Sequence, residues 1–287
     1  MKTLIVRSLS GLVYVLIIFL CTTNYLSDLL YLFLDIKIPS YYFLYGLMSF
    51  FLLGCLWETT RMLKFSSILY QILSFGLAGI IYYMFSKDFF WNSFSFGNLY
   101  LKHVLMLLLF LMSVTTLFRF SNELSTDSAK LIFSAIYIGL PFSFSLVIPN
   151  STSPLTPEIF YVFLLIWISD TFAYLVGSKF GKTKLAPKIS PNKSIEGLLG
   201  GIVFTCISGF IINSIYPDLR GNWIIISLLI AIFAPIGDLA ESKLKRMFGV
   251  KDSGNLMPGH GGVLDRLDSF IFCIPAIFAY YLIITIL

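Results

Sequence analysis

The chain has 287 residues and a formal net charge of +5; 57% of its residues are hydrophobic and only 12% are charged. Its 29 phenylalanines and 16 tyrosines, together with a mean hydropathy of +0.88, exclude an ordinary soluble globular protein. Its 4 cysteines stand singly in or beside apolar runs, without the paired spacing of a zinc site or a disulfide framework, and are expected to be small buried hydrophobic residues. They are Cys21, Cys55, Cys206 and Cys273.

Apolar runs long enough to cross the ~30 Å hydrocarbon layer of a bilayer recur along the whole chain. The first is not expected to be a cleaved signal peptide, because it has no small-residue cleavage site and further spans follow. The sequence therefore predicts an all-α polytopic integral membrane protein with about nine transmembrane helices. We place them at residues 8–26, 40–57, 66–85, 100–118, 131–149, 158–177, 197–216, 222–240 and 268–287.

The positions of lysine and arginine predict the orientation of these spans. With the N-terminus in the cytoplasm, 16 of the 20 basic residues fall in cytoplasmic segments and four fall outside, so the C-terminus is expected to face outward. The inside residues are Lys2, Arg7, Arg61, Lys64, Arg119, Lys130, Lys179, Lys182, Lys184, Lys188, Lys193, Lys243, Lys245, Arg246, Lys251 and Arg266, and the outside ones are Lys37, Lys87, Lys102 and Arg220.

Polar residues divide the chain into two parts. Residues 1–157 hold about five ordinary spans. Glu58, Arg61 and Lys64 have i, i+3 spacing at a cytoplasmic helix end and are expected to form a solvated interfacial face. Residues 158–287 hold about four spans, two basic cytoplasmic loops and seven carboxylates at helix ends or in those loops, so we expect the active site there. These carboxylates are Asp170, Glu196, Asp238, Glu241, Asp252, Asp265 and Asp268.

Two of these positions are notable because they lie in predicted spans. Asp170 lies inside an apolar run, where an unpaired carboxylate costs about 2.5–3.5 kcal/mol, so it needs either a helix-packing salt bridge or a role in a site. Asp238 and Glu241 share one helix face, and Pro235 and Gly237 are expected to kink or unwind that helix. A simple helix-end charge pair is the alternative for Asp238 and Glu241.

Asp265 and Asp268 repeat the i, i+3 spacing at the start of the last span. Capping of the helix dipole explains one of these carboxylates, but it does not explain both beside Asp238. Carboxylates without clustered Cys or His suit a hard cation such as Mg²⁺, which completes its shell with water and phosphate oxygens.

The two basic loops offer groups that bind phosphate. The glycine-rich turn at residues 258–262 presents backbone N–H groups that can cradle phosphate oxygens, with an ordinary turn as the alternative. Because cytoplasmic loops are basic in any membrane protein, topology alone is the alternative for each lysine and arginine. The candidates are Lys188, Ser190, Lys193, Ser194, Ser242, Lys245, Arg246, Lys251, His260, Gly261, Gly262 and Arg266.

Several catalytic motifs are absent from the sequence. It contains no P-loop, no HExxH, no GxSxG nucleophile elbow and no dinucleotide-binding fingerprint. The remaining features fit metal-assisted phosphoryl or nucleotidyl transfer at a membrane surface, because that chemistry depends on positioning and charge neutralisation.

The stretch 242–268 resembles the signature of bacterial phosphatidate cytidylyltransferases, S-x-L-K-R, four residues, K-D, then P-x-H-G-G-x-x-D-R-x-D. The segments SDTFAYLVGSKFGK, KLAPKISPNKSIEG and GDLAES are also similar to that family, and the resemblance covers about residues 158–287. Met257 and Ile195 depart from the usual residues of the pattern but stay apolar.

The resemblance implies transfer of CMP from CTP to phosphatidate, with release of pyrophosphate, by an integral-membrane homodimer in the bacterial cytoplasmic membrane. It implies a Mg²⁺ centre at Asp238 and Asp265, to which Asp170 and Asp268 are candidate additions, and leaves open a second, monovalent cation. Lys251 and Arg266 are the expected catalytic cations, and no nucleic-acid partner is expected.

Two rival functions remain at this point. A CTP-dependent polyprenol kinase, or an enzyme acting on another lipid phosphate, would use similar groups. An ion or metabolite transporter could also place Asp170 and Asp238 near a broken helix. The DG-x-x-AR motif of CDP-alcohol phosphotransferases is absent.

Overall fold

The computed structural model describes residues 2–90, 101–119, 124–148, 158–187, 189–257 and 261–286. Ten helices and one antiparallel two-stranded sheet form in this part of the chain. They are α1 (Lys2–Thr22), α2 (Tyr25–Leu34), α3 (Tyr41–Met62), α4 (Ile68–Phe90), α5 (Leu101–Arg119), α6 (Asp127–Ser145), α7 (Glu158–Phe180), β1 (Lys184–Ala186), β2 (Ser190–Ser194), α8 (Ile195–Ile215), α9 (Trp223–Met247) and α10 (Leu264–Ile286).

The predicted membrane fold is confirmed. Among the described residues, the eight helices α3 to α10 are long and apolar enough to cross a membrane, and they coincide with the last eight predicted runs. The first predicted run meets a bent pair instead, in which Leu9–Thr22 and Tyr25–Leu34 make an angle of 81°. The count is therefore eight spans, or nine if the bent pair forms one crossing.

Polar residues at their N-termini start three of these helices. The Thr126 side chain accepts a hydrogen bond from the Ala129 amide at α6, and Asn222 accepts from two amides at α9. Ser194 does the same at α8, where its hydroxyl accepts from the Gly197 amide at 3.1 Å. Each cap satisfies backbone N–H groups that have no partner inside the helix.

Helix packing divides the chain into two compact units. The first unit consists of Met1–Phe94, Leu124–Phe160 and Asp252–Arg266. Its α6 packs on α3 and α4, and a 2.7 Å hydrogen bond between the Ser74 and Ser134 hydroxyls joins α4 to α6. The boundary predicted at residue 157 concerns function rather than packing and stays a prediction.

The second unit consists of Ser95–Glu123, Tyr161–Lys251 and Leu267–Leu287. Its α8 packs on α9, and α7 lies close to α8 along a series of glycines. A Cβ added at Gly197 would lie 2.6 Å from the Ala173 carbonyl oxygen, so the two backbones approach closely at this point. Small residues permit such an approach between membrane helices.

Of the two distortions expected near Pro235, unwinding of α9 is contradicted, and a kink stays a prediction. The helix runs without a break from Trp223 to Met247. The Ser269 hydroxyl of α10 donates to the Ala234 carbonyl oxygen at 3.1 Å, which adds a polar contact beside the proline. Gly237 instead provides room, because an added Cβ there would lie 2.5 Å from the Asp268 carbonyl oxygen.

Candidate functional site

An ion pair joins β2 to α9 in the second unit. The Lys193 ammonium lies 2.5 Å from the Asp238 carboxylate, and the two side chains are 25% and 35% exposed. Ser242, one turn further along α9, donates its hydroxyl proton to the other Asp238 oxygen at 3.2 Å. Three of the predicted site residues therefore meet, and both side chains of the ion pair remain partly open to a ligand.

Asp268 links two further carboxylates, because it interacts with both Asp238 and Asp170. Asp268 near the start of α10 interacts electrostatically with Asp238 and with Asp170 of α7, and Lys193 partly compensates their charge. Asp170 is exposed. The Gly237 contact explains the proximity of Asp238 to Asp268, because it brings the α9 backbone against α10 at this level.

This donor set suits a hard cation. All of its oxygens are carboxylate oxygens, and the negative charge exceeds what one lysine neutralises. In the described part of the chain, no three Asp, Glu, His or Cys side chains converge closely enough to hold an ion alone. Mg²⁺ typically takes one or two carboxylates and fills its remaining positions with water and phosphate oxygens.

The basic residues at the end of α9 make local contacts. Lys245 pairs with Glu241 at 2.5 Å, and the Glu241 side chain is only 1% exposed. Arg246 donates to the Val250 carbonyl oxygen at 3.1 Å, while Lys251 is exposed. The helix-end charge pair, given above as the alternative for Glu241, is thus present with Lys245 as its partner. Substrate binding by the three cations stays a prediction.

The loop between α7 and α8 folds into a hairpin. Strands β1 and β2 are antiparallel, and Ser190 pairs with Ala186. Glu196 accepts from the Lys182 and Thr183 amides, which ties the start of the loop to α8. Ser194 is buried as the cap of α8, and substrate contact by Ser190 or Ser194 stays a prediction. Lys188 lies outside the described residues.

The described residues 252–257 and 261–263, which precede α10, are here called the glycine loop and belong to the first unit. Its Gly262 amide donates to Asp265 Oδ2 at 2.7 Å, and the Ser253 amide donates to the same oxygen at 3.0 Å. Gly261 has a φ of 86°, which favours glycine. Arg266, the next residue of α10, is exposed.

The Gly262 amide, one of the donors proposed to cradle phosphate, is thus bonded to Asp265 in this structure. Phosphate binding by Gly261 and Gly262 stays a prediction. His260 lies outside the described residues.

A carboxylate that the sequence analysis did not assign to the site holds the same loop. Glu58 of α3 is 2% exposed, so the expectation that it belongs to a solvated face is wrong. Its carboxylate accepts from the Val263 and Leu264 amides at 2.9 Å each and from the Ser253 hydroxyl at 2.7 Å. The sequence carries no signal for this role, because the partners lie 195 to 206 residues away.

Apolar helices that carry a group of carboxylates with a paired lysine define a class, namely a helical membrane protein with a polar site on its helices. The comparison with known families identifies it further. The sequence model of the cytidylyltransferase family matches residues 5–284, and the chain belongs to this family. The chain is therefore a CTP-using nucleotidyltransferase, which excludes the transporter alternative.

Similar proteins of known name come from bacteria. The chain is 37% identical over 271 residues to the phosphatidate cytidylyltransferase of Bacillus subtilis (strain 168), an alignment covering 91% of this chain and 95% of the relative. It is 41% identical over 183 residues to the phosphatidate cytidylyltransferase of Staphylococcus haemolyticus (strain JCSC1435), with 62% of this chain and 68% of the relative covered.

Proposed function

We propose that the chain is a phosphatidate cytidylyltransferase, which transfers CMP from CTP to phosphatidate and forms CDP-diacylglycerol and pyrophosphate. The Bacillus relative of that name covers nearly the whole chain, which supports phosphatidate as the acceptor. The observation that carries the proposal is the Lys193–Asp238 pair beside Asp170 and Asp268, since it combines a phosphate-binding cation with oxygen ligands for a metal.

The proposed reaction is a direct displacement. A phosphate oxygen of phosphatidate attacks the α-phosphorus of CTP, and the bond from that phosphorus to the bridging oxygen breaks. Pyrophosphate leaves with the bonding electron pair. The lipid phosphate is already anionic, so the chain needs no strong general base.

The side chains supply charge and position. Lys193 lies where it can neutralise a phosphate oxygen while it remains paired with Asp238, and Ser242 fixes the other oxygen of that carboxylate. We propose Lys251 and Arg266 as further cations for the leaving pyrophosphate, because both side chains are exposed. Such groups stabilise the charge of the transition state rather than exchange protons.

We propose Mg²⁺ as the cofactor, with Asp238 and Asp265 as ligands and with Asp170 and Asp268 as candidate additions. When bound, Mg²⁺ supplies charge neutralisation for the CTP phosphates. A second, monovalent cation stays an open part of this proposal.

We also propose a homodimer in the bacterial cytoplasmic membrane, with its site on the cytoplasmic face where CTP is available. The bacterial relatives and the apolar helices support the membrane, and the distribution of basic residues supports the orientation.

Labelled CTP tests the reaction. Purified protein is incubated with phosphatidate, Mg²⁺ and CTP labelled at the α-phosphorus, and lipid and water-soluble products are separated. Label in the lipid fraction is expected, and its appearance should stop when Mg²⁺ is chelated. Label that accumulates in CDP, with none in lipid, would instead identify a CTP-dependent lipid kinase.

A further inference from the structure

Glu58 and the glycine loop form a connected group of hydrogen bonds. Glu58 is buried on α3, yet all three of its observed partners belong to the segment that enters α10. Two partners are the Val263 and Leu264 amides, which lie at the N-terminus of the helix and have no acceptor inside it. A carboxylate is favoured there, because it both accepts these bonds and faces the positive end of the helix dipole.

The third partner, Ser253, connects Glu58 to Asp265. Its hydroxyl donates to Glu58 while its backbone amide donates to Asp265. Asp265 in turn accepts from Gly262, the residue before the amides that Glu58 holds. The two carboxylates therefore fix the same loop from both sides, with Ser253 as the shared donor.

The glycines of this loop leave the space that Glu58 fills. A Cβ at Gly254 would meet the Glu58 carboxylate, and a Cβ at Gly262 would meet both that carboxylate and the Ser253 hydroxyl. The loop thus lies directly around the carboxylate, where no larger side chain fits. This gives the two glycines a role that does not depend on phosphate binding.

We propose that Glu58 is a positioning residue for the transferase reaction: it fixes the glycine loop and, through Ser253, the orientation of Asp265. This rests on the proposed function, in which Asp265 and the loop act on the CTP phosphates. A buried carboxylate with three donors holds the loop firmly, because each bond to a charged group is stronger than a neutral one.

The test variant is Glu58→Gln, which has nearly the same volume but only one acceptor oxygen in place of two. Its amide group would face a backbone N–H, so at least one bond is lost. We expect the KM for CTP to rise about tenfold or more and kcat to fall, while the KM for phosphatidate stays unchanged. Hydrogen exchange at the Val263 and Leu264 amides should become faster.

Asp127→Asn is the matched control. Asp127 belongs to the same unit and also accepts from two backbone amides and one serine hydroxyl, but its partners are Ser66 and Ser67 in the turn before α4. We expect this variant to lose thermal stability with both KM values unchanged. A purely structural role for Glu58 predicts that same pattern for Glu58→Gln, and an unchanged KM for CTP would overturn the proposal.

If Glu58→Gln does not fold, Ser253→Ala decides the question, because it removes only the hydroxyl through which Glu58 is proposed to orient Asp265. A rise in the KM for CTP supports the proposal, and wild-type values overturn it. The labelled-CTP assay with the wild-type protein distinguishes failure of the proposed function from failure of the role proposed for Glu58. Absence of CMP transfer there contradicts the proposed function, whereas normal transfer by both wild type and variant contradicts only the role of Glu58.

Discussion

Lys193 is the positive charge bonded to Asp238 in a group that also includes Asp170 and Asp268. Replacement of Lys193 by Met removes the cation that we propose for the phosphates and leaves Asp238 beside the like charge of Asp268. We expect kcat/KM for CTP to fall on the order of 100-fold, the usual effect of removing a preorganised charge partner. Initial rates in detergent measure this, and Lys193→Arg should retain part of the activity.

Lys243→Met is the control for that experiment. Lys243 lies in the same unit, but its ammonium donates to the Phe118 carbonyl oxygen at 2.8 Å and contacts no carboxylate among the described residues. Activity close to wild type is expected for this variant. Equal losses in the Lys193 and Lys243 variants would show that general loss of positive charge, and not the contact with Asp238, explains the effect.

Asp265 combines a structural and a chemical role in our proposal, and the two can be separated. In Asp265→Asn the amide oxygen can still accept from Gly262, so the glycine loop should keep its fold. The loss of negative charge should nevertheless reduce turnover to on the order of 1% or less. Thermal unfolding and rate are measured together, with Asp218→Asn as a charge-matched control; a folded Asp265→Asn protein with near-normal turnover would contradict the assignment.

Residue chemistry could be predicted only where it follows from local spacing. The family pattern identified Asp238, Ser242 and Asp265 as site residues, and the structure places the first two together with Lys193. Glu58 was not identified as a site residue because its spacing to Arg61 resembles an ordinary solvated helix face. Its actual partners are determined by the packing of α3 against a loop 200 residues away, which no local pattern encodes.

Helix packing in the second unit depends on backbone contact between α7 and α8. Gly197→Ala would place a methyl group 2.6 Å from the Ala173 carbonyl oxygen and 3.0 Å from Gly177 Cα, both backbone atoms that cannot rotate away. We expect a loss of about 1–3 kcal/mol in the free energy of unfolding. The midpoint of thermal unfolding in detergent reports this change.

Gly79→Ala in α4 is the control for this packing prediction. A Cβ at Gly79 meets nothing within 4 Å, so the variant should be unchanged or gain up to about 1 kcal/mol from the better helix propensity of alanine. Destabilisation of both variants to the same extent would contradict a specific role for α7–α8 packing.

Hydropathy predicted the positions of the helices well, but the sequence did not predict where a helix is continuous and where it bends. Pro235 and Gly237 suggested a broken helix, because both residues disfavour helix interiors. In the folded chain Gly237 is required for the close approach of α10, so the same residue that weakens an isolated helix strengthens the packed one. The bend between α1 and α2 follows Thr22 without a proline or glycine, so the sequence offered no breaker to mark it.

The proposed orientation of the whole molecule in its membrane rests on the 16 to 4 distribution of basic residues. Cysteine labelling can test it at two exposed positions that we expect on opposite sides. Lys184→Cys lies in β1 on the predicted cytoplasmic side, and Asp218→Cys lies in the predicted outer turn between α8 and α9. Each is introduced singly after the four native cysteines are replaced by alanine.

A membrane-impermeant maleimide applied to cells with an intact cytoplasmic membrane should label position 218 and not position 184. Permeabilised cells should show both, which controls for reactivity. The reverse pattern would place the α7–α8 hairpin outside, away from cytoplasmic CTP. Lys193 belongs to that hairpin and pairs with Asp238. Such a result would therefore contradict both the orientation and a cytoplasmic site, because the proposed substrate could not reach these two residues.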